Sequence, residues 1–100
     1  MLVENANKNT INISEGKTAL LFHIPGHCAG CKRAIITLSN MNTDNWKIFL
    51  LDAEDESNAE LVKQYSVSMA PTIVVFENGE QKEKFAGLKS FLENKNIFEE

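Results

Sequence analysis

Three stretches of this chain are apolar almost throughout, and the polar residues between them recur at helical or turn spacing. The first is Thr18-Ala19-Leu20-Leu21-Phe22-His23-Ile24, the second Trp46-Lys47-Ile48-Phe49-Leu50-Leu51-Asp52, the third Thr72-Ile73-Val74-Val75-Phe76. Runs of this length without alternation suit strands covered on both faces. Pro25-Gly26 ends the first run, and from Cys28 onward the period changes. Cys31, Ile35 and Leu38 recur at intervals of three and four, with Lys32, Arg33 and Asn40 elsewhere around the turn, which predicts an amphipathic helix. Ile35, Ile36 and Thr37 are β-branched, so packing on a sheet is expected to hold that helix more than its own propensity does. Strand, helix and strand in this order imply a parallel pair joined by a right-handed crossover.

Beyond the second run, Glu54-Asp55-Glu56 reads as a solvated loop. Ser57 followed by Glu60 has the spacing of a capping box, predicting a short helix that carries Leu61, Val62 and Tyr65. Pro71 stands at the mouth of the third run, where a missing ladder donor is tolerated, and its peptide bond is a candidate for the cis form. Asn78-Gly79 is a two-residue hairpin signal, which makes residues 80–86 the antiparallel partner of the third run. Lys82, Glu83 and Lys84 suit an exposed edge. Gly87-Leu88 turns the chain, and Ser90 with Glu93 repeats the capping-box spacing before a last helix bearing Phe91, Leu92 and Phe98. Residues 1–17 stay unassigned: Thr10-Ile11-Asn12-Ile13 alternates like a short strand, but the surrounding asparagines and Gly16 favour turns. No linker or repeat divides the chain, so residues 1–100 are expected to form one domain.

Composition narrows the classes of function. One hundred residues, 43% of them hydrophobic, can build a real core but leave any binding groove shallow or made of loops. The net charge of -4 and the lack of a basic cluster beyond Lys32-Arg33 argue against binding nucleic acid. The polar start lacks the pattern of a signal peptide and no run reaches membrane-spanning length, so a cytoplasmic protein off the membrane is expected.

Both cysteines fall in His27-Cys28-Ala29-Gly30-Cys31-Lys32, at the start of the predicted crossover helix. At this spacing the two Cα atoms come within disulfide reach, so the pair can open and close. Cys28 lies where the first N–H groups of a helix point outward unpaired, a field that favours thiolate over thiol and marks it as the nucleophile. Cys31, one turn inside, is the resolving thiol. A closed zinc site would need four ligands, and only His23 and His27 could add nitrogen, so no metal is expected. A permanent structural disulfide is the plainer alternative, although a span this short constrains the unfolded chain very little. His23, inside the first run, is expected to be a core histidine whose ring finds local partners. His27 and Lys32 flank the pair as candidate modulators, and His27 can either stabilise the Cys28 thiolate as a cation or take up a proton as a neutral ring.

Cys28-Ala29-Gly30-Cys31, Ala70-Pro71-Thr72, the hairpin Phe76-Glu77-Asn78-Gly79-Glu80 and Gly87, in this order, resemble the thioredoxin family over about residues 18 to 96. The resemblance implies an α/β thioredoxin-like fold, a central mixed sheet of four to five strands flanked by helices. It implies a cis Pro71 facing the cysteines across a groove, Ala70 pairing its backbone with an extended substrate segment, and Gly87 as the opposite wall. The activity implied is reduction of protein disulfides by dithiol exchange, with electrons from a thioredoxin reductase or equivalent donor. No cofactor beyond the Cys28–Cys31 pair is implied, and a monomer is expected. Two other readings stand beside it, a glutaredoxin-like enzyme recharged by glutathione and a non-catalytic interaction module. The chain departs from the family pattern at His27, where Trp is usual, and at Ala29-Gly30, where Gly-Pro is usual. It also has Phe22 in place of a buried Asp that relays a proton, Ile48 in place of a companion Lys, and a small Ala70 before the proline.

Overall fold

In a computed structural model that describes residues 1–100, the three apolar runs become neighbouring strands of one sheet. The chain runs β1 (Leu2–Val3), β2 (Lys17–His23), α1 (Ala29–Ser39), β3 (Trp46–Asp52), α2 (Ala59–Gln64), β4 (Thr72–Glu77), β5 (Glu80–Ala86) and α3 (Leu88–Asn94). Short 3₁₀ turns at Glu56–Asn58 and Lys95–Glu99 precede α2 and follow α3. The five strands lie in the order β1-β3-β2-β4-β5. β1 and β2 pair parallel with β3, while β4 pairs antiparallel with both β2 and β5, so the sheet is mixed.

Alternation along each central strand sends side chains to two separate cores. Ala19, Leu21, Ile48, Leu50, Ile73 and Val75 pack on one face with Ala34 and Leu38 of α1, Phe91 of α3 and Phe98. Leu20, Phe22, Phe49, Leu51, Val74 and Phe76 pack on the other face with Leu61 of α2 and Ala6. Both faces are therefore covered, as the unbroken runs require. β5 is exposed except at Phe85 and Ala86 is its last residue, in keeping with its charged edge pattern. Asn78 and Gly79, with φ of 50° and 86°, supply the two positive φ angles of the predicted hairpin turn.

Several local expectations are corrected. Ser57 caps nothing: the Asp55 carboxylate accepts the Ser57 N–H at 2.9 Å and starts the 3₁₀ turn, and α2 follows from Ala59. Ser90 sits inside α3, which begins at Leu88 directly after Gly87, so it is no cap either. Phe98 belongs to the terminal 3₁₀ turn, where its ring meets Trp46 edge-on at 4.9 Å. Residues 10–13, unassigned from the sequence, form no strand, and Ile11 and Ile13 pack against the core on the α2 face. Phe22 and Ile48 lie on opposite faces of the sheet, opposite Leu51 and Ala19 respectively, and so do not form a replaced pair.

Candidate active site

The active-site loop is delivered by a turn that the sequence spells out. Pro25 and Gly26 occupy its centre, Gly26 has φ of 81°, and the His27 N–H donates to the Ile24 carbonyl at 3.3 Å. The chain then enters α1 with Cys28 as its N-cap, in an extended conformation, and Lys32 N–H makes the first helical bond to the Cys28 carbonyl at 3.1 Å. Cys28 and Cys31 form a disulfide with a Cα separation of 5.2 Å.

The two sulfurs have different surroundings. Cys31 is 1% exposed, whereas Cys28 is half-buried at the helix mouth. Cys28 Sγ accepts the Cys31 N–H at 3.1 Å, taking one of the donors that a helix start leaves unpaired. No acidic side chain stands in the first turn of α1, so nothing cancels the positive field there. The Ala70 carbonyl lies 3.6 Å from Cys28 Sγ, placed so that a thiol formed on reduction can donate to it.

Three chain segments meet at this point. The Ala70–Pro71 peptide is cis, and Pro71 is buried at the start of β4. A Cβ built on Gly30 would stand 3.5 Å from Pro71 Cδ and 3.6 Å from Leu88 Cβ, so the mouth of α1 packs on the proline ring and on the first residue of α3. The Gly87 N–H donates to the Pro71 carbonyl at 2.7 Å. With φ of 91°, Gly87 holds a backbone angle that other residues rarely adopt, and a Cβ there would come within 3.2 Å of Met69 Sδ.

Cys28, Cys31, Ala70, Pro71 and Gly87 are thus brought together. His27 and Lys32, both exposed, are not part of that junction, and they line a cavity on another side of Cys28 together with His23. Met69 was not visible as a site residue in the sequence. It is 51% exposed beside the cis proline, and its backbone carbonyl accepts the Thr72 hydroxyl at 2.6 Å.

His23 is half-buried at the end of β2 rather than in the core, opposite Asp52 in the register with β3. Burial lowers its pKa from the ordinary 6.5, and the carboxylates of Asp52 and Glu4 oppose the shift without cancelling it. The folded protein thus resists protonating a ring that the unfolded chain protonates freely. Stability from this group is complete above about pH 6.5 and is lost as the pH falls through the depressed folded value. Urea unfolding at about pH 7.5 and about pH 5.5 is expected to show a smaller acid loss in His23→Gln than in the parent. Equal losses in the two proteins would assign the acid sensitivity to other groups.

Comparison with known proteins follows the same lines. A family model described as Thioredoxin matches residues 2–97. The chain is similar to the thioredoxin of Chlamydia trachomatis, with 31% identity over 62 residues, and the match spans 62% of this chain and 61% of that protein. Among solved structures it resembles thioredoxin from Trypanosoma brucei brucei, at a TM-score of 0.76 and 19% identity, covering 97% of this chain and 88% of that one. Oxidised thioredoxin O2 from Arabidopsis thaliana gives a TM-score of 0.75 at 18% identity, over 98% of this chain and 91% of that one. At such identities the structural likeness is one of fold.

Proposed function

The chain belongs to the thioredoxin family, and from that premise we propose that it is a thiol-disulfide oxidoreductase that reduces protein disulfides. The observation that carries this reading is the asymmetry of the cysteine pair: Cys28 half-exposed as the N-cap of α1, and Cys31 buried one turn behind it within bonding distance. In the reduced protein the Cys28 thiolate attacks one sulfur of a substrate disulfide, forming a mixed disulfide and releasing the first substrate thiol. Cys31 then attacks Cys28 Sγ, re-forms the intramolecular bond and releases the second thiol. Two electrons pass to the substrate, and an external donor, a thioredoxin reductase or its equivalent, restores the dithiol.

The groove beside the cis proline suits an extended substrate segment. Ala70 would offer backbone groups to it as a short added strand, and Gly87 would keep the opposite wall clear of a side chain. No cofactor is needed beyond the disulfide itself, and a reducing cytoplasm would keep the pair in use.

Reduction of insulin by dithiothreitol tests this reading. The protein is expected to accelerate insulin precipitation catalytically; a rate equal to dithiothreitol alone would leave it a non-catalytic module with the same fold.

His27 adjoins the nucleophile and is exposed to solvent. As a cation it would raise the thiolate fraction of Cys28 in addition to the helix field. In His27→Ala, alkylation of reduced Cys28 by iodoacetamide is therefore expected to slow several-fold at mildly acidic pH and to converge with the parent in alkali. Superimposable pH profiles would leave the helix N-terminus as the only activator.

A further inference from the structure

A cavity of about 720 Å³ opens beside Cys28, and Ala70, Pro71 and Gly87 take no part in its wall. It is formed where the end of β2, the Pro25-Gly26 turn and the outer face of α1 meet, with His23, His27 and Lys32 supplying nitrogen groups and Ile35 and Ile36 an apolar floor. Its size falls within the roughly 300–1,000 Å³ typical of small-molecule sites. Although the chain carries a net charge of -4, no carboxylate lines this cavity. Ile36 is 52% exposed, an apolar surface that no other element of the chain covers. Cys28 reaches the cavity and Cys31 does not.

We propose that this cavity binds a low-molecular-weight disulfide bearing carboxylates, or the acidic thiol it yields, and presents its sulfur to Cys28. The ammonium of Lys32 faces a ligand carboxylate, while the imidazoles of His23 and His27 offer hydrogen bonds and the isoleucines cover the ligand's aliphatic part. The proposal rests on the oxidoreductase reading and adds to it a second approach to the same sulfur, separate from the groove at Pro71.

The exchange balances without any further reactant. The Cys28 thiolate attacks one sulfur of R–S–S–R, the R–S–S–R bond breaks, a Cys28–S–S–R bond forms, and R–S⁻ leaves and takes up a proton. Cys31 thiolate then attacks Cys28 Sγ, closing the Cys28–Cys31 bond and expelling the second R–S⁻, which is likewise protonated. The protein dithiol loses two electrons and two protons, and the small disulfide gains them. In reverse, two molecules of the acidic thiol reduce the protein. Because only Cys28 lines the cavity, a bound thiol attacks that sulfur and Cys31 is the leaving group.

The test uses the reduced Cys31→Ser protein, in which exchange stops at the mixed disulfide and mass spectrometry counts it. Oxidised glutathione and its tetraethyl ester carry the same disulfide with and without carboxylates. The acid is expected to react about tenfold faster than the ester at low salt, with saturation at rising concentration. Lys32→Glu and, separately, Ile36→Glu are expected to reduce that preference at least about fivefold, since each sets a carboxylate against the ligand's own. Equal rates for acid and ester, or a preference untouched by either substitution, would overturn the cavity as a site. If neither disulfide reacts and the parent protein also leaves insulin intact, the oxidoreductase reading fails and this proposal with it. If insulin is reduced while the acid has no advantage, only the cavity fails.

Discussion

Replacing Cys28 with serine is expected to cut protein-disulfide reduction by roughly a thousandfold or more, the scale on which loss of a covalent nucleophile acts. Cys31→Ser is expected to lose turnover as well, but to accumulate covalent complexes with protein substrates through Cys28. The asymmetry follows from position. Cys28 is the half-buried N-cap of α1 and its sulfur already accepts a backbone N–H, so a thiolate there is both reachable and stabilised. Cys31 is 1% exposed, so its own sulfur offers almost no surface to an incoming disulfide, yet it lies within bonding distance of Cys28 Sγ. Serine differs from cysteine by a single atom, so circular dichroism of both variants should match the parent. Recovery of disulfide-linked partners from Cys31→Ser but not from Cys28→Ser, on non-reducing gels with mass spectrometry, checks the assignment. The opposite pattern would reverse the two roles.

The sheet was legible because its chemistry is repetitive. A strand with both faces covered is apolar almost throughout, and residues 46–52, apolar except for the exposed Lys47 and the terminal Asp52, match β3 residue for residue. β1 was not legible, because two residues cannot display a period. It is tied down at its start, where the Met1 ammonium donates to the Thr43 and Trp46 carbonyls and to the Thr43 hydroxyl, groups more than forty residues away. Ser57 and Ser90 misled because a cap is decided by which side chain reaches the free N–H groups first. Asp55 stands two residues ahead of Ser57, and the positive φ of Gly87 starts α3 without a side-chain cap.

The candidate site divides the same way. The Cys28–Cys31 spacing and the helix behind it could be read from the residues alone, since both thiols and the helix start lie within one short segment. The junction with Pro71 and Gly87 came only through family resemblance, because nothing local says that residues 40 and more positions apart will touch. Met69 and the cavity at His23, Lys32 and Ile36 could not be read from the sequence. Exposure of an apolar side chain depends on what the rest of the fold leaves uncovered, and the period of α1 cannot reveal that.

Restoring the family's carboxylate at position 22 is expected to damage this protein rather than improve it. Phe22 is wholly buried on the α2 face among Leu20, Leu51, Val74 and Phe76, and its register partners are Leu51 and Thr72. No cationic side chain belongs to that core, so Phe22→Asp would place a carboxyl where nothing offsets its desolvation. Loss of the ring alone, measured by Phe22→Ala, is expected to cost about 3–5 kcal/mol. The aspartate variant is expected to be worse at neutral pH by about 2 kcal/mol or more, enough to unfold a domain whose total stability lies near the usual 5–15 kcal/mol. The pH dependence separates the two causes. In the unfolded chain the carboxyl ionises near pH 3.9, about the ordinary aspartate value, whereas burial raises its folded pKa. Unfolding is therefore favoured by about 1.4 kcal/mol for each pH unit above that value, until the folded group ionises too. Urea denaturation of the two variants should give nearly equal stabilities toward about pH 4 and diverge steadily up to about pH 7, with Phe22→Asp the weaker. Parallel stabilities across that range would mean that water or a basic partner reaches position 22, and a proton path from this face of the sheet toward the thiols would then be open after all.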